Sequence, residues 1–113
     1  MKEIKAIIQP FMLTKVITAL RKIEELPGIT ISEIKGFGRS RGKGAKEKVS
    51  DEFIEYVPKV KIEIVVKEEM VEKVLTTIQE NAHTGNPGDG KIFISCVDNI
   101  VRIRTNERGE GAI

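Results

Sequence analysis

The alternation of apolar and polar residues predicts two strands of a β-sheet. Apolar side chains occupy every second position from Ile4 to Ile8, where Pro10 ends the pattern, and again from Val60 to Val66. A period of two is typical of a strand with one buried face. The β-branched residues of Ile29 to Lys35 and the apolar run from about Lys91 to Val97 predict two further strands.

Two stretches between these strands instead have the spacing of amphipathic helices. In the first, Val16, Leu20 and Ile23 fall on one face. Thr14 is the predicted N-cap of this helix, and Pro27-Gly28 is expected to end it. The second helix begins with two acidic residues, which suit the positive end of a helix dipole. The two acidic residues are Glu68 and Glu69. The residues predicted to be buried on one face are Val71, Val74, Leu75 and Ile78.

The resulting order of elements, βαββαβ, predicts a ferredoxin-like α+β sandwich with two helices on one face of a four-stranded sheet. The opposite face is expected to carry a mixture of charged and apolar side chains, namely Lys61, Glu63, Val65, Ile34, Ile92 and Ile94. Such a face is too apolar for water and too polar for a monomer core. We therefore expect it to mediate association into a symmetric homo-oligomer.

Size and composition restrict the class of protein. The 113 residues are expected to form a single domain. Lysine and arginine number 19 against 17 aspartate and glutamate, and this net charge of +2 does not indicate nucleic-acid binding. Met1 to Gln9 lacks the features of a signal peptide, and no apolar run approaches the ~20 residues that span a bilayer. With a lone Cys96 and a lone His83, neither a disulfide nor a zinc site is expected, and the predicted location is the cytoplasm.

The stretch from Thr84 to Lys91 carries the strongest chemical signal in the sequence. Its three glycines let backbone N–H groups approach a ligand and Lys91 adds a cation, which together suit a phosphate chain. Gly85 to Lys91 fits most of a P-loop pattern, but Ile92 stands where a Ser or Thr would hold Mg²⁺. The local order of helix, loop and strand is also the reverse of a P-loop. A tight turn without a ligand is the alternative interpretation.

The region from Arg39 to about Tyr56 has neither a helical nor a strand period, and its first part, Arg39 to Lys48, contains five cations and one anion. A loop this long in so small a domain is usually functional or disordered, so it is predicted either to bind a partner or to be a solvated insert, mobile when free. Further along, Arg102 and Arg104 flank Ile103 and would share one face if that segment is extended.

Five stretches, by their shared order and spacing, give the chain a resemblance to the PII nitrogen-regulatory signal transduction proteins over nearly its full length. They are Ala6 to Phe11, Glu33 to Arg39, Pro58 to Glu63, Thr84 to Phe93 and Arg102 to Gly109. The resemblance favours the phosphate-binding interpretation of the glycine stretch over the plain turn.

The resemblance implies a compact homotrimer with ATP or ADP held in clefts between neighbouring subunits. The residues implied at the phosphates are Gly88, Asp89, Gly90 and Lys91, with Arg39 and, from the adjoining subunit, Arg102 and Arg104. Guanidinium groups suit this task because they bind phosphate oxygens in a bidentate way. The residues implied around the nucleoside are Thr30, Gly36, Phe37, Gly38, Glu63 and Val65.

The same resemblance identifies Arg39 to Tyr56 with the T-loop, a long flexible loop between the second and third strands that docks onto target proteins. Family targets include ammonium transporters, glutamine-synthetase-modifying enzymes and other nitrogen-metabolism proteins. Lys59 corresponds to the partner of a 2-oxoglutarate carboxylate, and Mg²⁺ is implied beside that effector. The loop cations implied in partner binding are Arg41, Lys43, Lys46 and Lys48.

The chain departs from the family within this loop. Ser40 stands where most members have a glutamine that helps to ligate Mg²⁺, and its shorter side chain would need a bridging water, which weakens the expectation of tight 2-oxoglutarate binding. Glu52 stands where many bacterial members carry a uridylylated tyrosine, so that modification is expected to be absent. Ser50 aligns with a serine phosphorylated in some members, but an unmodified serine is the favoured interpretation because its neighbours differ. Lys48 replaces a usual arginine and keeps the charge without the planar fork.

Two other functions fit parts of the sequence. A nucleotide hydrolase would use the same pocket, but the sequence has no visible Ser/His/Asp set, carboxylate pair or nucleophilic cysteine context. A PII-like sensor of other adenyl nucleotides, unresponsive to 2-oxoglutarate, is the second alternative, and the full set of arginines and lysines favours ATP over it. The prediction is therefore a PII-type regulator that is neither an enzyme nor itself a membrane protein.

Overall fold

A four-stranded antiparallel sheet forms one layer of the protein. The structure is a computed structural model that describes residues 1–37 and 55–113. Its strands are β1 (Lys2–Ile8), β2 (Thr30–Gly36), β3 (Val57–Val66) and β4 (Gly90–Cys96). They lie in the order β2-β3-β1-β4, with β1 and β3 at the centre. This order confirms the ferredoxin-like α+β prediction.

Two helices, α1 (Leu13–Leu20) and α2 (Val71–Ala82), form the second layer, and each is entered through a 3-10 turn. The first turn starts at Pro10, whose ring presets a helical φ and whose missing N–H needs no partner. The second turn, Glu68–Met70, places acidic residues before the positive end of α2. Within residues 1–37 and 55–113, neither helix nor any other has the length and apolar character needed to cross a bilayer.

Both predicted boundaries of the first helix are wrong. Thr14 lies inside α1, and the N-cap position is Met12, which makes no side-chain capping bond. The 3-10 turn before α1 already gives the Met12 and Leu13 amides backbone acceptors, the carbonyls of Gln9 and Pro10, so these amides need no capping side chain. α1 also ends at Leu20, well before Pro27-Gly28, and the intervening residues form turns that include Glu25 at a φ of 61°.

The hydrophobic core lies between the two helices and the inward side chains of β1 and β3. Ile4 pairs with Ile64 and Ala6 pairs with Ile62 across the two central strands, and all four are buried. The helices cover them with Val16, Leu20, Val74 and Ile78. Burying one aliphatic side chain of this size contributes about 1.5–3 kcal/mol, so this layer maintains the pairing of the strands that carry the polar face.

The outward face of the sheet differs from the prediction in β4. Ile92 pairs with Ala6 and Ile94 pairs with Ile4, and residues opposite each other in an antiparallel ladder lie on the same face. Both isoleucines therefore face the helices, and Phe93 takes the outward position. Because three consecutive residues are apolar here, the pattern fits either face, and only strand pairing decides between them. The outward face carries, as predicted, Lys61, Glu63, Val65 and Ile34.

The arginines near the C-terminus lie in a tight hairpin rather than an extended segment. The Arg102 amide donates to the Glu107 carbonyl at 2.9 Å, and residues 103–105 form the turn between them. Asn106 closes the hairpin with a φ of 60°, a conformation that asparagine tolerates better than most residues. The extended conformation that would place Arg102 and Arg104 on one face is therefore absent from this segment.

Candidate functional site

The glycine loop, residues 84–90, connects α2 to β4 and lies against the end of β1. Gly90 pairs with Ile8, and its φ of 107° falls in the left-handed region. A Cβ atom at this position would overlap the carbonyl oxygen of Ile7. Because only glycine permits this approach of two backbones, the placement of the loop depends on Gly90.

The carbonyl oxygen of Gly88 accepts two hydrogen bonds from outside the loop. The Lys59 ammonium donates to it at 2.7 Å, and the side-chain amide of Gln9 donates to it through Nε2 at 2.8 Å. Gly88 has a φ of 92°, in the left-handed region that glycine adopts without strain, and the two donors come from the start of β3 and from the residue after β1. The structure therefore brings the predicted effector residue Lys59 to the predicted phosphate loop.

The end of β2 lies beside the same lysine. Ile34 pairs with Lys59, and a Cβ atom on Gly36 would be 3.8 Å from the Lys59 Cγ. Phe37 follows and is exposed. Gly36, one of the residues predicted around the nucleoside, therefore lies beside Lys59, and Phe37 is the next residue along the chain.

Two lysines lie close to the glycine loop at this end of the sheet. Lys91 is exposed and pairs with Ile7 on the outward face. Lys61 pairs with Ile7 from the other side, but its ammonium lies 3.5 Å from the Glu63 carboxylate. Lys59 and Lys91 therefore place two cations beside the glycine loop, an arrangement that suits an anion.

The Asp89 carboxylate is bonded within the loop. It accepts hydrogen bonds from the Thr84 amide at 2.9 Å and from the Thr84 hydroxyl, and His83 Nδ1 lies 3.3 Å away. The bond from the Thr84 hydroxyl, followed by that from its amide, lowers the pKa of Asp89 below its ordinary value. Because the folded-state pKa is the lower one, this stabilisation is complete above the ordinary value and is lost as acid protonates the folded carboxyl.

A second group of predicted residues lies further along the outward face. Thr30 pairs with Glu63, and both line a cleft of about 340 Å³ with Val65 and Ile113. We call this the C-terminal cleft. Glu63 follows Lys59 by four residues on β3, which corresponds to roughly 13 Å at the usual rise of a strand. The predicted nucleotide residues therefore form two separate groups within one protomer.

Arg102 is bonded to Ile113, which lines the C-terminal cleft, and to other groups of its own chain. Its guanidinium lies 3.1 Å from the Glu107 carboxylate and donates at 3.4 Å to the carbonyls of Gly111 and Ile113. Arg104 is exposed on the same hairpin. An anionic ligand would therefore have to compete with Glu107 for Arg102.

Several predicted residues lie outside the described ranges. They belong to residues 38–54 and are Gly38, Arg39, Ser40, Arg41, Lys43, Lys46, Lys48, Ser50 and Glu52. Their predicted roles at the phosphates, the effector and the partner stay predictions. Among the residues that the structure does describe, no three His, Cys, Asp or Glu side chains come together as a metal site.

Sequence reasoning missed three contributors to this arrangement: Gln9, Thr84 as the partner of Asp89, and Glu107 as the partner of Arg102. The ferredoxin-like prediction contained a signal for the first, once the strand order is known. With β1 between β3 and β4, the end of β1 must lie beside the start of both neighbours, and Gln9 directly follows β1. The other two pairs depend on turns whose closure no pattern of apolar residues indicates.

Comparison with known proteins points to one family. The sequence model of the family described as Nitrogen regulatory protein P-II matches residues 1–107. The chain is similar to proteins of that name from Azospirillum brasilense and from Synechocystis sp., each at 47% identity over 100% of both chains. It is also similar to the crystal structure of Arabidopsis thaliana PII bound to citrate, at 42% identity and a TM-score of 0.81, covering 99% of this chain and 91% of that one.

Proposed function

Because the chain belongs to the nitrogen regulatory protein P-II family, we propose that it binds ATP or ADP between subunits and signals the bound state to nitrogen-metabolism partners. Members of this family are signalling regulators that act through partners. The nucleotide, the homotrimer and the identity of the partner are the parts of this statement that we propose.

The separation of the predicted nucleotide residues into two groups is the observation that carries the proposal. The glycine loop and the C-terminal cleft lie toward opposite ends of one sheet face, and each offers part of a nucleotide site. In a closed ring of identical subunits, unlike surfaces of neighbours meet. The glycine loop of one subunit would then face the C-terminal cleft of the next, and three copies would form three equivalent sites.

The glycine loop is the part of the site proposed to hold the phosphates. Gly88 would let phosphate oxygens approach the backbone N–H groups of the loop, Gly90 holds the loop against Ile7 of β1, and Lys91 supplies charge nearby. A cation and a phosphate attract each other more strongly when a neighbouring subunit covers them, because water screens them less. Arg39, within residues 38–54, is proposed to add a further cation.

The C-terminal cleft is proposed to receive the nucleoside from the neighbouring subunit. The Glu63 carboxylate can accept hydrogen bonds from an amino group of a base, while Val65 offers an apolar contact to its ring. Arg102 and Arg104 would reach the phosphates from the same hairpin. Arg102 would exchange its contact with Glu107 for a phosphate oxygen, which keeps its donors paired in both states.

Lys91→Ala tests the placement of the phosphates. The substitution should weaken ATP binding by about 1.5–3 kcal/mol, the usual range for a hydrogen bond to a charged group, or roughly 10- to 150-fold in Kd. Isothermal calorimetry on the assembled protein measures this loss. Lys22→Ala is the matched control, because Lys22 is exposed beyond the C-terminal end of α1, whereas the glycine loop is bonded to Gln9 before that helix begins. An ATP affinity for Lys91→Ala equal to that of the parent contradicts the proposed site.

The parent protein is expected to sediment as a trimer because its outward sheet face carries apolar side chains such as Ile7, Val65 and Phe93. Phe93 is 50% exposed in the protomer, and Phe93→Asp should shift the mass toward that of one chain, because it removes an apolar contact and adds a charge that assembly must desolvate even with Lys5 opposite it. Phe11→Asp is the control, since Phe11 is 74% exposed on the entry turn of α1. A parent that sediments as a monomer at dilute concentration contradicts the trimer.

The proposed 2-oxoglutarate response centres on Lys59. An effector carboxylate would have to take the Lys59 ammonium from the Gly88 carbonyl, and Gln9 would then keep that carbonyl bonded. Mg²⁺ beside the effector would depend on Ser40, which lies within residues 38–54.

A partner such as an ammonium transporter or a nitrogen-metabolism enzyme is proposed to bind residues 38–54. A pull-down with ATP, ADP or 2-oxoglutarate would separate this regulator from an adenyl-nucleotide sensor, which would not respond to 2-oxoglutarate.

A further inference from the structure

An acidic side chain stands within the loop that we propose to hold phosphates. A carboxylate near a polyphosphate is unfavourable by simple electrostatics. The carboxylate of Asp89, however, is 25% exposed and accepts both donors of Thr84, the backbone amide and the hydroxyl. The Asp89 carboxylate therefore bonds to groups within the loop.

We propose that Asp89 is a positioning residue that closes the glycine loop through Thr84, rather than a contact to the phosphates. The inference rests on the proposed nucleotide site and assigns the one acid within residues 84–91 a role there. The carboxylate joins the end of the loop to its start, so residues 85–88 form a short closed ring. The backbone groups within this ring, including those of Gly85 and Gly88, are then ordered before a ligand arrives, which reduces the entropy lost on binding.

The hydrogen bonds around Thr84 form a connected set. Its hydroxyl donates to Asp89 and accepts from the Asn86 amide at 3.1 Å, which uses its one hydrogen and one of its lone pairs. A valine has nearly the shape of threonine but can make neither bond. A serine keeps both bonds, so the two substitutions separate the hydroxyl from the volume of the side chain.

His83 is a minor member of this set. Its Nδ1 is 3.3 Å from the Asp89 carboxylate, but its side chain is 61% exposed, and pairs at such sites contribute little. The charged groups around the pair in the described residues include Lys91 in the adjoining strand and Lys59 across Gly88. His83→Gln therefore serves as the matched control, since it changes a neighbour of Asp89 without removing a bond from Thr84.

Asp89→Asn distinguishes the positioning role from a purely electrostatic effect of the charge, because the two predict changes of opposite sign in ATP affinity. The asparagine amide keeps one oxygen that can accept from the Thr84 backbone N–H, but its NH₂ group can only donate to the Thr84 hydroxyl, so the charge-assisted bond from that hydroxyl is lost. The weaker closure of the ring should weaken ATP binding at least fivefold. Simple removal of a negative charge should instead strengthen it, and that gain should disappear in 1 M salt, where the screening length is about 3 Å.

The test combines calorimetry with amide hydrogen exchange on the assembled protein. We expect Asp89→Asn and Thr84→Val to weaken ATP binding at low and at high salt, and to speed the exchange of residues 84–90 without ATP. Thr84→Ser and His83→Gln should stay within twofold of the parent. Unchanged protection of residues 4–8 and 60–66 confirms that each variant is folded.

Two outcomes would overturn the inference. One is tighter or equal ATP binding by Asp89→Asn, which would make the acid a passive charge. The other is parental exchange rates in both Asp89→Asn and Thr84→Val, which would show that the loop is ordered without their bond. If the parent itself binds no ATP, the proposed function fails, while the exchange comparison still decides whether Asp89 orders the loop.

Discussion

Gly90→Ala is expected to lower the free energy of unfolding by about 3–5 kcal/mol. The φ of 107° at this position costs an alanine about 1–3 kcal/mol of backbone strain. In addition, the new Cβ would overlap the carbonyl oxygen of Ile7. Since that atom belongs to the backbone of a central strand, relief requires β1 and β4 to separate locally, which weakens the pairing that places the glycine loop.

Two other glycines separate the strain from the overlap. Gly85 also has a left-handed φ, of 88°, but a Cβ there would have no atom within 4 Å, so Gly85→Ala should cost the strain alone. Gly28 has neither feature, and Gly28→Ala should change stability by less than about 0.5 kcal/mol. Denaturant unfolding at one fixed subunit concentration measures all three, because assembly makes stability depend on concentration. Equal costs for Gly90→Ala and Gly85→Ala would contradict the overlap.

Ile62→Ala is expected to destabilise the protein by about 2–5 kcal/mol, the usual cost of truncating a fully buried isoleucine. Ile62 has no exposed surface and lies at the centre of β3, opposite Ala6. Because its partner across the ladder is small, the side chain of Ile62 fills space that Ala6 leaves under the helices. Its removal should leave a cavity that the neighbouring side chains cannot fill by small adjustments.

A graded series checks this prediction. Ile62→Val removes one methylene group and should cost about 0.5–1.5 kcal/mol. Ile103→Ala is the control for an isoleucine outside the core, since Ile103 is 99% exposed on the C-terminal hairpin, and its cost should stay below about 0.5 kcal/mol. A loss below 1 kcal/mol for Ile62→Ala would contradict the packing described for β3. A large loss for Ile103→Ala would indicate that the assembled protein covers this side chain.

The core and the candidate site are two consequences of the same strand pairing. Along β3, Val60, Ile62 and Ile64 point to the helices, so the alternate residues Lys59 and Glu63 must point outward. A slip by one residue would bury both charges and expose the isoleucines. The free energy that holds the core in register therefore also holds the lysine near the glycine loop and the glutamate in the C-terminal cleft.

The sequence by itself determined which elements form and what family of fold they build. Alternation in β1 and β3 and helical spacing in α1 and α2 are local patterns, and a strand or helix expresses its pattern within a few neighbouring residues. The ferredoxin-like order follows from those elements taken in turn. The candidate phosphate-binding role of the glycine-rich segment before β4 was also predictable, because closely spaced glycines followed by a lysine suit an anion whatever the distant residues are.

Tertiary structure alone decided which face Ile92 and Ile94 occupy, because an unbroken apolar run is compatible with both faces of a strand. It also decided that Gln9 and Lys59 meet on one carbonyl of the glycine loop, which requires residues from three separate elements at one point. The helix boundary near Thr14 followed from the proline turn before it, and the C-terminal arginines followed from a hairpin. Each of these outcomes is set by pairing between residues distant in sequence or by the closure of a turn, and neither has a period that the sequence displays.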